Sequence, residues 1–169
     1  EPLCTLKAIE ARLQQVERCD FGEVALIVSQ RSMMFQSPRA GLHNVTQLIF
    51  RNWHLSRMGA PFEQLLLEDL ERSDLPTYKL YIMSNLFYLS AEHRALIDRV
   101  VKRNGATVLW IYAPGFLDDR SASLTNMEAL TGIRFGMSSA YDELNVSITD
   151  FDHPITRDLP QGYAYGTGI

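Results

Sequence analysis

The sequence predicts an α/β fold, a three-layer doubly wound arrangement around a mainly parallel sheet, and three observations carry that expectation. Apolar runs of strand length recur at Glu23–Ser29, Tyr78–Met83 and Thr107–Tyr112. The last of them is nearly continuous, the mark of a strand covered on both faces in a parallel sheet. Between the last two runs, Ser90–Arg103 places Leu96, Ile97, Val100 and Val101 at three-and-four spacing, which makes one apolar helical face. Strand, helix and strand in that order form a right-handed crossover between parallel neighbours.

Taken from the start, residues 1–20 read as a leading helix. Leu6, Ile9, Leu13 and Val16 fall at helical spacing, and Pro2 is tolerated in the first turn. Gln30–Ala40 reads as a polar, Met-containing loop after the first strand. Gly41–Met58 reads as a helix broken by Gly59-Ala60-Pro61. Phe62–Leu67 is a short strand or the start of a helix, which periodicity does not decide at that length. Asp69–Pro76 is a connector. In the next helix Ser90 is an N-cap and Asn104-Gly105 a stop. After a loop at Phe116–Ser123, Thr125 and Glu128 have capping-box spacing for a short helix. Arg134–Met137 and Asn145–Thr149 are candidate late strands, and the Pro- and Gly-bearing tail from His153 reads as irregular. This alternation points to the flavodoxin-like strand order 2-1-3-4-5 over one domain, residues 1–169.

Composition narrows the function classes. With 46% hydrophobic and 21% charged residues over 169 positions the chain is ordinary globular material. A net charge of −4 without a basic stripe argues against a nucleic-acid partner. No run reaches the roughly 18 apolar residues of a membrane span, and no signal peptide is evident. The sequence reads as a piece of a longer parent, whose unseen part decides location. Cys4 and Cys19 share the leading helix, about 22 Å apart if it is intact, too far for a disulfide.

Open parallel sheets bind ligands at the carboxyl ends of their strands, so the turn Ile111-Tyr112-Ala113-Pro114-Gly115 is where chemistry is expected. A nucleophile elbow needs a small residue, then Ser or Cys at a strained tip, then a small residue. Gly115 fits, but Ile111 takes the first glycine's place and Ala113 the tip, so the shape is expected without the nucleophile.

Several phrases fall in order: Glu23-Val24-Ala25-Leu26-Ile27-Val28, Arg57-Met58-Gly59-Ala60-Pro61, Asp69-Leu70, Tyr78-Lys79-Leu80-Tyr81-Ile82, Asn85-Leu86-Phe87-Tyr88-Leu89, Asn104-Gly105-Ala106-Thr107-Val108-Leu109-Trp110 and Leu130-Thr131-Gly132-Ile133. From about Glu23 to Ile133 the chain thereby resembles the glutamine-amidotransferase-like domain that follows the catalytic barrel in bacterial β-galactosidase-type glycoside hydrolases, often called the trimerisation domain. The resemblance implies a class I amidotransferase fold without its catalytic Cys, in agreement with Ala113. It implies a bacterial homo-oligomer, with this domain packed against the catalytic barrel of its own or a neighbouring subunit.

Candidate residues are then weighed one group at a time. Of the histidines only His153 lies beyond the elbow, with no cysteine to serve. Ser29 and Ser84, each near a strand end, are the remaining nucleophile candidates, and each would need an oriented His. Glycoside hydrolysis needs two spaced carboxylates, whereas Glu68-Asp69 and Asp118-Asp119 are adjacent doublets. His43, His54, His93 and Cys19 lack metal-ligand spacing. Asn44-Val45-Thr46 and Asn145-Val146-Ser147 are chance-level sequons. No catalytic residue, metal or cofactor is therefore expected. The ligand or interface candidates are Arg31, Asn85, Phe87, Tyr88, Tyr112 and Phe116, rings beside hydrogen-bonding groups near the carboxyl edge. The four aromatics are expected to be partly exposed. Two alternatives stay open beside the assembly domain: a degenerate flavodoxin-like module holding a small polar ligand or sugar, and an amidotransferase or hydrolase with an unrecognised nucleophile.

Overall fold

A computed structural model describes residues 2–14, 22–35, 55, 58–137, 145–161 and 164–166. They belong to two compact units, Glu1–Phe135 and Gly136–Ile169.

The first unit is built on a sheet of β1 (Val24–Val28), β2 (Phe62–Leu66), β3 (Leu80–Met83) and β4 (Thr107–Trp110), all parallel, in the order β2-β1-β3-β4. This is an α/β sheet in flavodoxin-like arrangement. Central β1 is buried at every position because alternate side chains serve two cores. Ala25 and Ile27 join Tyr81, Met83, Leu96, Ile97 and Leu130 on one face, while Val24, Leu26 and Val28 join Ile82 on the other. Fully burying one such aliphatic side chain contributes about 1.5–3 kcal/mol, so β1 anchors the fold.

α3 (Ala91–Val100) covers the first face. Its cap is as expected: the Ser90 hydroxyl accepts from the His93 amide at 3.3 Å, and Gly105 ends the segment at φ +65°. α4 (Leu124–Thr131) sets Met127 and Leu130 into the core and stops at Gly132, φ +73°. Its cap is Ser123, two residues before the expected Thr125, and it accepts from the Asn126 amide at 3.2 Å. Burying Met127 and Leu130 fixes that start. The stretch Phe62–Leu67 resolves as the strand, β2, and runs at Leu67 into a 3-10 turn (Leu67–Glu71) at whose start Asp69 Oδ2 accepts from Leu66 N at 2.8 Å.

Four expectations change. Ser29 caps a short helix, α2 (Gln30–Met33), where a loop was expected, because its hydroxyl accepts from Ser32 N at 3.1 Å. β4 is not covered on both faces: Val108 and Trp110 pack on the core while Leu109 is 49% exposed, so the apolar run belongs to the sheet's last strand among the described residues. Arg134–Met137 is not a strand. Asn145–Ser147 is one, β5, but it pairs antiparallel with β6 (Ala164–Gly166) in a ribbon of the second unit instead of extending the sheet. From His153 to position 161 the tail is irregular as expected, a run of turns in which Thr156 Oγ1 donates to Asp150 O at 2.7 Å and Arg157 N to His153 O at 3.0 Å. α1 (Pro2–Leu13) is the leading helix. Cys19 and most of the expected Gly41–Met58 helix lie outside the described residues.

Candidate functional site

The loops after β1, β3 and β4 meet at the carboxyl edge, and a buried polar network fixes them there. Asn85 Oδ1 accepts from Ser29 N at 2.8 Å, and Asn85 Nδ2 donates to Ser29 O at 3.0 Å. The amide side chain thus imitates a strand neighbour. Ser32 Oγ accepts from Tyr88 N and lies 3.1 Å from Tyr88 O, to which it donates. Ser84 Oγ donates to Ile27 O at 2.9 Å. All four polar residues are essentially solvent-free. Both serine nucleophile candidates therefore hold backbone, and among the described residues neither hydroxyl bonds a histidine.

The aromatic candidates divide. Phe87 and Tyr88 are buried, 8% and 3% exposed, against the expectation of a partly open edge. Tyr88 is covered by α2 and the turn that follows it: Arg31 Cζ sits 4.9 Å from the Tyr88 centroid, and Phe35 stacks on the same ring at 4.9 Å and 19°. The Tyr88 hydroxyl donates to Asp119 Oδ1, and this bond, with burial, holds the phenol above its ordinary pKa. Phe87 meets Tyr112 edge-on at 6.4 Å. Phe116 is half-buried.

What stays open at this edge is Tyr112 at 56%, Phe35 at 53%, Met33 at 42% and Met34 at 85%. The sequence reading missed Met33, Met34 and Phe35. Three large apolar residues directly after a strand end, behind a capping serine, were the available signal.

The elbow also shifts by one residue. Tyr112, not Ala113, has the left-handed backbone, φ +67°, the position a nucleophile would hold. For a non-glycine residue that conformation costs on the order of 1–2 kcal/mol. Gly115 follows at φ +65°, where an added Cβ would lie 2.8 Å from Leu130 Cδ2 and 2.9 Å from Arg94 Nη2. Arg94 closes this turn, donating to Gly115 O at 2.6 Å and Asn126 O at 2.8 Å. Burial lowers its pKa.

The carboxylates are engaged in structure. Asp118 Oδ1 accepts from Arg120 N at 2.8 Å and Ser121 N at 2.7 Å, which holds its pKa below the ordinary range. Asp119 takes the Tyr88 hydroxyl, Asp69 caps the 3-10 turn, and Glu68 Oε1 stands 3.8 Å from His93 Nε2. In the second unit, His153 Nδ1 accepts from Ile155 N at 3.2 Å. Among the described residues no group of three His, Cys, Asp or Glu side chains could hold a metal ion, and no helix is long and apolar enough to cross a membrane. His43 and His54 lie outside the described residues.

No family model and no curated protein matches the sequence. Among solved structures the chain is similar to the β-galactosidase from Bifidobacterium adolescentis, with a TM-score of 0.48 and 20% identity over 67% of this chain. The match spans 55% of that chain's length.

Proposed function

We propose that this chain is a non-catalytic assembly domain of a larger β-galactosidase-like glycoside hydrolase, joining subunits through the carboxyl edge of its parallel sheet. One observation carries the reading. Where an α/β enzyme of this topology would expose a nucleophile, this edge exposes three successive large apolar residues, Met33, Met34 and Phe35, and also Tyr112, and clustered exposed apolar side chains suit a contact site. The phrases shared with the trimerisation-type domain between Glu23 and Ile133 support it from the sequence side. A ligand-binding module has less support, because Asn85, Ser29 and Ser32 spend their hydrogen bonds on one another and on backbone. An amidotransferase has less still, with Tyr112 at the strained tip.

The test is sedimentation velocity on the full-length protein. Met34→Glu is expected to lower the oligomeric state while leaving the melting temperature nearly unchanged, since 85% of Met34 is already in water. An unchanged oligomer in both Met34→Glu and Tyr112→Glu, or steady release of ammonia from glutamine by the pure chain, would overturn the reading.

A further inference from the structure

A cleft of about 290 Å³ lies towards the amino ends of the strands, away from the carboxyl edge. Three pieces of chain shape it: residues 70–78 on the way into β3, Tyr81 of β3 itself, and Arg99 and Val100 in the last turn of α3. Its floor is apolar, with Leu70, Tyr78 and Tyr81 closed to water and Leu75 and Val100 half-buried. That volume is at the small end of the range for ligand pockets.

The connector is pinned at both ends. Arg72 Nε and Nη2 donate to Asp74 Oδ1 and Oδ2 at 3.0 and 2.8 Å, the Tyr78 hydroxyl donates to Glu63 Oε2, and Tyr78 meets Tyr81 edge-on at 5.5 Å. A cleft held in this way is formed before a ligand arrives, which removes the cost of ordering it on binding.

The charges on its rim say what kind of ligand. Three ionised side chains line the cleft, Glu71, Arg72 and Arg99. Arg72 is taken by Asp74, and Asp98, next to Arg99 in the helix, is taken by Lys102. Among the described residues neither the Glu71 nor the Arg99 side chain has a hydrogen-bond or ion-pair partner, and they do not pair with each other. A guanidinium fork receives a carboxylate in a two-pronged pair, a carboxylate receives an ammonium, and the floor receives an apolar body. A neutral sugar offers neither charge, and a phosphate ester would set like charge against Glu71. An amino acid with an apolar side chain offers all three groups.

We infer that this cleft binds a free α-amino acid with a large apolar side chain, its carboxylate on Arg99 and its ammonium on Glu71. The site goes beyond assembly and stands whether or not the carboxyl edge is an interface.

NMR titration of the whole chain with L-phenylalanine and L-leucine tests it. At least one is expected to bind at millimolar concentrations or below, with the largest amide shifts at residues 70–78 and at Arg99 and Val100. Blocking that ligand as its N-acetyl or its amide form removes one charge and should weaken binding about tenfold or more, as loss of a charge-assisted hydrogen bond does. Glu71→Gln should weaken the free amino acid to a similar degree and leave the N-acetyl form unchanged, while Arg99→Gln should leave the amide form unchanged. Both residues are exposed, so each variant is expected to melt like the parent. No binding of either amino acid, shifts centred elsewhere, a blocked form that binds as well as the free one, or full affinity in either variant each overturns the inference. Met34→Glu should bind as the parent does; loss of binding there would move the ligand to the carboxyl edge and sink this site.

Discussion

Single residues at the carboxyl edge are tuned for holding backbone in place. Asn85 is the clearest instance, because its amide satisfies both the N–H and the C=O of Ser29 in a site closed to water. Replacing it with Leu strands two buried backbone groups, each costing about 1–3 kcal/mol. Asn85→Leu is expected to lower stability by about 2 kcal/mol or more in urea unfolding. A change within experimental error would show that Ser29 finds other partners. Asp118 supplies a pH-dependent part of the same edge. Its folded pKa is depressed by the Arg120 and Ser121 amides, so its contribution is complete above the ordinary carboxylate value near 4 and is lost as pH falls through the lower folded value. Amides of Arg120 and Ser121 should therefore lose hydrogen-exchange protection below about pH 4, and Asp118→Asn should flatten that dependence. Sequence alone gave Asn85 as a candidate, but as a ligand or interface group; its role depends on a partner 56 positions away.

Short elements decide which residues are core and which are surface. α2 is only four residues long, yet together with the turn after it the helix sets Arg31 and Phe35 on Tyr88 and turns an expected surface ring into a buried one. Tyr88→Ala should then act as a core truncation, lowering stability by about 3 kcal/mol or more in thermal or urea unfolding. A variant that melts like the parent would mean the ring is dispensable packing. Met34, in the same segment, should show the opposite pattern, since it is open while Tyr88 is closed. The strand-end turn follows the same logic. Ile111–Gly115 was legible as an elbow lacking a nucleophile, but its strained position moved to Tyr112. A side chain at Gly115 would be strained at φ +65° and would force Leu130 Cδ2 and Arg94 Nη2 to shift, and those neighbours come from α4 and α3.

Across the molecule, stability should fall away from β1. Its side chains feed both cores, β3 does nearly the same, and β4 leaves Leu109 half open. Native-state hydrogen exchange is expected to find the slowest amides in Val24–Val28 and Leu80–Met83 and faster ones in Thr107–Trp110. Equal protection in β4 would mean its outer edge is covered. The sequence by itself determined the parallel α/β class, the strands β1, β3 and β4, the Ser90 cap and the absence of Ser or Cys at the elbow. Each of these is written in neighbouring residues, as an apolar run, a capping side chain or a missing one. Tertiary structure decided the rest. Periodicity records how apolar a face is but not what lies against it, so only the packed chain could show that Tyr88 is roofed by α2, that β4 is half open, and that Asn145–Ser147 pairs with Ala164–Gly166 instead of joining the sheet.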